Sequence, residues 1–119
     1  MVKYSKPLMA GFVLALAAST VHAQDLAAGK KLYVDNCQRC HSAKGQGGVG
    51  VKLAGDAAYW EFDAFKKAVL MGVDDGGKTL KKPMPLFAKV GLTVPKGEIP
   101  TDAELQDIQA YIVTFAPKK

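Results

Sequence analysis

Two cysteines and a histidine fall within five consecutive residues, Cys37-Gln38-Arg39-Cys40-His41. They include both cysteines of the 119-residue chain and one of its two histidines. Such a cluster suits a metal held by soft ligands, a disulfide exchanged with a partner, or a haem attached through both sulfurs. Each of these needs something different from the rest of the chain.

The compartment is the first constraint. Lys3 and Lys6 precede the apolar run LMAGFVLALAAST, and Val21 and Ala23 occupy the small-residue positions of a cleavage site. The pattern predicts a secretory signal peptide over residues 1–23, cut between Ala23 and Gln24, and one mature domain over residues 24–119. The apolar run from Leu8 to Ala18 is well short of the roughly 20 residues of a spanning helix, which argues against a permanent membrane anchor. No cysteine lies beside the cut to carry a lipid. A periplasmic protein is expected.

In an oxidising compartment two thiols should not remain free, yet a bridge between residues three apart closes almost no loop and stabilises little. A structural disulfide therefore explains the pair poorly. Zinc sites close with four ligands, and here His22 leaves with the leader, so three soft ligands remain. A thioredoxin-type pair belongs at a helix N-terminus after a strand, whereas a helical pattern precedes Cys37.

Three segments have helical character. Residues 25–36 group Leu26, Gly29, Leu32 and Tyr33 near one face, with Asp25 at the N-terminal end. Residues 61–72 repeat Phe62, Phe65, Ala68 and Val69, with Gly72 as the stop. Residues 101–115 open with the Thr101/Glu104 capping pattern and carry Leu105, Ile108, Ile112 and Phe115 as a stripe bordered by Tyr111. A fourth, shorter helix is expected near Asp56. The loops at 42–55 and 73–87 lack the alternation of strands. They carry Leu53, Leu80, Met84, Leu86 and Phe87, which predicts that they pack against something. The stretch GQGGVG matches no phosphate-binding pattern.

Haem attachment uses the whole motif. Two thiols add to two vinyl groups, Gln38 and Arg39 set their spacing, and His41 becomes an axial iron ligand. The sixth position needs another donor, and after Ala23 the methionines are Met71 and Met84. Met71 lies at the edge of a helical stripe, where methionine is ordinarily core filler. Met84 lies between Pro83 and Pro85 in KKPMPLF and is the better candidate.

With Gly29, Tyr33, Cys37, Cys40, His41, the Met84-Pro85 pair and an aromatic-rich C-terminal helix in view, the chain resembles class I c-type cytochromes, small soluble bacterial monohaem proteins, over its whole mature length. The resemblance implies an all-α cytochrome c fold of three to four helices and long loops around one covalently bound haem c per chain. It implies Cys37 and Cys40 as attachment points, His41 and Met84 as axial ligands, and contact of Gly29 with Tyr111 or a near neighbour where the terminal helices cross. Many members have Gly-Pro-x-Leu after the first loop, the proline carbonyl accepting a hydrogen bond from the ligand histidine. This chain reads Gly50-Val51-Lys52-Leu53.

Iron with two strong protein ligands has no position open to substrate, so the expected function is one-electron transfer between a dehydrogenase or respiratory-chain donor and an oxidase or other acceptor. An electron carrier, not an enzyme, is expected; the alternative is a haem enzyme or gas sensor with an open distal position. Tyr59, Trp60, Phe62, Phe65, Phe87, Tyr111 and Phe115 are expected in the packing, with Tyr59 or Trp60 as candidate donors to a haem propionate. Removing Lys3 and Lys6 from 16 basic residues leaves a modest excess over 11 acids, which gives no case for nucleic-acid binding. Lys44, Lys78, Lys81, Lys82 and Lys89 fall in or beside the loops, as candidates for docking acidic redox proteins at the haem edge.

Overall fold

The computed structural model describes residues 23–118, so the leader expectation falls almost wholly outside the described residues. The elements are α1 (Leu26–Asn36), α2 (Gln38–His41), a 3-10 turn (Asp56–Tyr59), α3 (Phe62–Met71), α4 (Phe87–Val90) and α5 (Asp102–Val113). Among the described residues the only β pairing is an isolated antiparallel bridge, Val73 with Thr79. The mostly helical fold expected from the sequence is what forms, and no described helix is long and apolar enough to cross a membrane.

The helix ends follow from local chemistry. Asp25 caps α1 by accepting from the Ala28 N–H at 3.0 Å. At α5 the Thr101 hydroxyl accepts from the Glu104 N–H at 3.2 Å while the Glu104 carboxylate accepts from the Thr101 N–H at 3.0 Å, closing the capping box. Gly72 ends α3 in the left-handed region at φ 69°, its N–H bonded to the Ala68 carbonyl.

The core forms where α1 crosses α5. Tyr33, Leu105 and Ile112 are its largest fully buried side chains, joined by Ala58, Phe65 and Ile108. The crossing falls at near neighbours of Tyr111 rather than at Tyr111 itself. Gly29 lies against the backbone of Asp107 and Ile108, one turn before Tyr111, and a Cβ there would overlap the Asp107 carbonyl. Tyr111 instead meets Tyr33 at 5.5 Å between ring centroids, and Phe115 completes the cluster at 5.5 Å from Tyr33 and 5.3 Å from Tyr111.

The short α4 was not anticipated, a single turn being too brief to register as periodicity. It buries Phe87 and packs on α3.

Candidate haem site

The motif begins where α1 stops. The Cys37 N–H still donates to the Tyr33 carbonyl at 2.8 Å, and the Cys37 carbonyl then accepts from Cys40 N–H at 3.2 Å and His41 N–H at 3.0 Å. That single turn puts Cys37 and Cys40 three residues apart on one side of the chain. Both sulfurs are free thiols. Cys37 packs against the core, and burial, aided by the neighbouring Cys40 charge, pushes its thiol up to about 12.

His41 is buried, with 7 % of its surface exposed. Its Nδ1 lies 2.7 Å from the Val51 carbonyl oxygen. A carbonyl can only accept, so Nδ1 carries the proton and donates it, and in the neutral ring the lone pair stands on Nε2. The ring fits because residue 50 is glycine: a Cβ there would lie 2.6 Å from Cε1 and 2.9 Å from Nε2. Val51 thus presents the carbonyl that proline presents in many members of the family, although its own side chain is 66 % exposed.

The Met84 segment is held by the loop after α3. The Leu80 N–H donates to the Gly72 carbonyl at 2.8 Å, and the Asp74 carboxylate accepts from the Gly76 and Lys78 N–H groups at 2.9 and 2.8 Å. Leu86 then packs on Gly72, and Met84 is half-buried in the bend leading to α4. Met71, expected as core filler, is instead 58 % exposed at the end of α3.

Two free thiols on one turn and an imidazole with its Nε2 lone pair available fit covalently bound haem, and Met84 offers a half-buried thioether in the later loop. The propionate donors are otherwise engaged. The Tyr59 hydroxyl donates to the Pro117 carbonyl at 2.6 Å, and the Trp60 Nε1–H donates to the Asp56 carboxylate at 3.1 Å. Lys44, Lys78, Lys81, Lys82 and Lys89 are all exposed.

Two contributors escape sequence reasoning. Asn36 donates through Nδ2 to the Leu32 and Val94 carbonyls at 3.0 and 2.9 Å, and its Oδ1 accepts from Thr93 and Val94 N–H at 2.9 and 3.1 Å. It ties the 92–95 turn to the residue before Cys37. The buried Asp107 carboxylate accepts from the Asp25 N–H at 2.8 Å. Neither has a local motif; a polar residue expected on a helix face was the only available signal.

Comparison with known proteins points to the same cofactor. The family model described as cytochrome c matches residues 26–116. The chain is 32 % identical over 97 residues to cytochrome c6 of Thermosynechococcus vestitus, covering 81 % of this chain and 75 % of that protein. It is 32 % identical over 95 residues to cytochrome c6 of Synechococcus elongatus, covering 79 % and 94 % respectively. No solved structure gives a significant match. A cytochrome c match over almost all of the described residues, on a helical fold carrying the Cys37/Cys40 motif, means that the chain belongs to the cytochrome c family, as a monohaem class I electron-transfer protein with covalent haem c.

Proposed function

We propose that the mature chain is a periplasmic one-electron carrier in which Cys37 and Cys40 hold haem c as thioethers and His41 Nε2 and Met84 Sδ are the axial ligands. The observation that carries this reading is the 2.7 Å contact of His41 Nδ1 with the Val51 carbonyl, which commits one ring nitrogen and leaves the other for iron. Bound haem supplies the Fe(II)/Fe(III) couple. Burial of His41 limits water at its ring, and a thioether ligand favours the reduced state over what a second imidazole would give.

Absorption spectra of the oxidised and reduced protein, matured in a haem-attaching host, test attachment and ligation together. A six-coordinate low-spin spectrum in both states is expected, with no binding of carbon monoxide to the reduced protein. Ready carbon monoxide binding would overturn Met84 ligation and favour an open-site enzyme or sensor.

The exposed Lys44, Lys78, Lys81, Lys82 and Lys89 support docking of acidic redox proteins by electrostatic steering. Their attraction is screened over about 8 Å at physiological ionic strength, so transfer to an acidic partner should slow as salt rises. The signal-peptide pattern over residues 1–23 supports export, and N-terminal sequencing of the secreted protein should begin at Gln24.

A further inference from the structure

The Val51 carbonyl orients His41, yet nothing in Val51 fixes that carbonyl. Its side chain is 66 % exposed, and its N–H makes no hydrogen bond among the described residues. It follows Gly45, Gly47, Gly48 and Gly50, residues with wide backbone freedom to lose. A proline at 51 would restrict φ by its ring; valine does not.

The restraint comes from the other side of the loop. Ser42, directly after His41, has φ 73°, the only described non-glycine residue with positive φ. Such a conformation persists where surrounding contacts over-determine it, and here they do. The Ser42 hydroxyl donates to the Gly47 carbonyl at 2.7 Å, while its own carbonyl accepts from the buried Tyr33 hydroxyl at 2.6 Å. The Gly47 N–H donates to the His41 carbonyl at 3.0 Å, so residues 41 and 42 hold Gly47 at both its amide and its carbonyl. Gly48 N–H then bonds the Gly50 carbonyl at 2.9 Å and Gly50 N–H bonds the Cys40 carbonyl at 2.8 Å, immediately before Val51. Beyond it, Leu53 N–H returns to the Gly45 carbonyl at 2.9 Å.

We propose that Ser42 is a positioning residue for the axial histidine: its hydroxyl clamps Gly47 and thereby holds the Val51 carbonyl on His41 Nδ1, doing by a side-chain hydrogen bond what a proline at 51 would do by its ring. This rests on the reading of His41 as an iron ligand. Because the clamp and a proline perform the same task, removing one should matter only while the other is absent.

The test uses the haem-loaded mature protein as wild type, S42A, V51P and S42A/V51P. In the reduced state, NMR reads exchange of the His41 Nδ1 proton with solvent. S42A should accelerate that exchange about fivefold, the factor for losing one hydrogen bond of ordinary net strength, and by under about twofold in the V51P background. The midpoint potential should rise in S42A, because a weaker hydrogen bond makes the imidazole a poorer donor to ferric iron, and should be unmoved by the same change in the V51P background. S42G, which also relieves the positive φ, should accelerate exchange as S42A does even where S42A folds poorly. Equal acceleration in both backgrounds, or none in either, would overturn the clamp. Ordinary rather than ring-current-shifted His41 ring protons in the wild type would instead overturn the ligation on which it rests.

Discussion

Gly29 meets the backbone carbonyl of Asp107 so closely that α1 and α5 touch main chain to main chain. From this crossing α1 runs on to Asn36 and delivers the chain into Cys37. In G29A the added methyl would overlap that carbonyl, which is backbone and cannot rotate away. Overpacking of this kind should cost about 3 kcal/mol, more than the roughly 1 kcal/mol that alanine gains over glycine in helix propensity. Urea unfolding of the haem-loaded protein should report the loss, whereas K30A on the exposed side of α1 should stay within about 0.5 kcal/mol of wild type.

Tyr33 is wholly buried, and its hydroxyl donates to the Ser42 carbonyl. Burial first, and then nearby Cys37 and Tyr111, push its phenol up from 10.0 to about 12. The folded protein therefore keeps this proton where the unfolded chain loses it. Its stabilising contribution is complete below about pH 10 and falls between about pH 10 and 12, by about 2 kcal/mol, the Cys37 charge being absent once that sulfur is a thioether. Y33F should be about 1 kcal/mol less stable near neutral pH through loss of one hydrogen bond, and should lack that alkaline decline. Unfolding at pH values on both sides of 10 measures the crossover.

What the sequence made legible was what is local. The capping box needs residues three apart, the cysteine-histidine motif needs five in a row, and the helical stripes of α3 and α5 repeat within one or two turns. Val51 in place of proline removes a rigid ring but not the group that matters, a backbone carbonyl, which any residue carries. Asn36 and Asp107 were illegible for the opposite reason: their partners lie 57 and 82 residues away, so only the folded chain reveals them. Met71 was misjudged because it lies round the helix from the stripe of Phe62, Phe65, Ala68 and Val69: that stripe stays on the core through the last turn of α3, and Met71 faces solvent beside it.

Asn36 fastens the turn at 92–95 to the last residue of α1 through both ends of its amide. The bonds to that turn are exposed, so water replaces them readily and their net worth is small. N36A should cost under about 1 kcal/mol and raise amide exchange at Thr93 and Val94 selectively. The absorption spectrum should be unchanged, because Asn36 contributes no donor to the site.

Met84 and Met71 provide the last discrimination. Met84 is half-buried in the proline-flanked bend that leads into α4, whereas Met71 is 58 % exposed at the end of α3. If Met84 supplies the sixth ligand, M84L removes the thioether while conserving most of the volume, and the reduced protein should then bind carbon monoxide and show a lower midpoint potential. M71L should leave spectrum, potential and carbon monoxide behaviour unchanged and shift stability by under about 0.5 kcal/mol, as surface substitutions do. Spectral titration of the two variants side by side decides the assignment: a response in M71L, or silence in M84L, would move the ligand away from Met84.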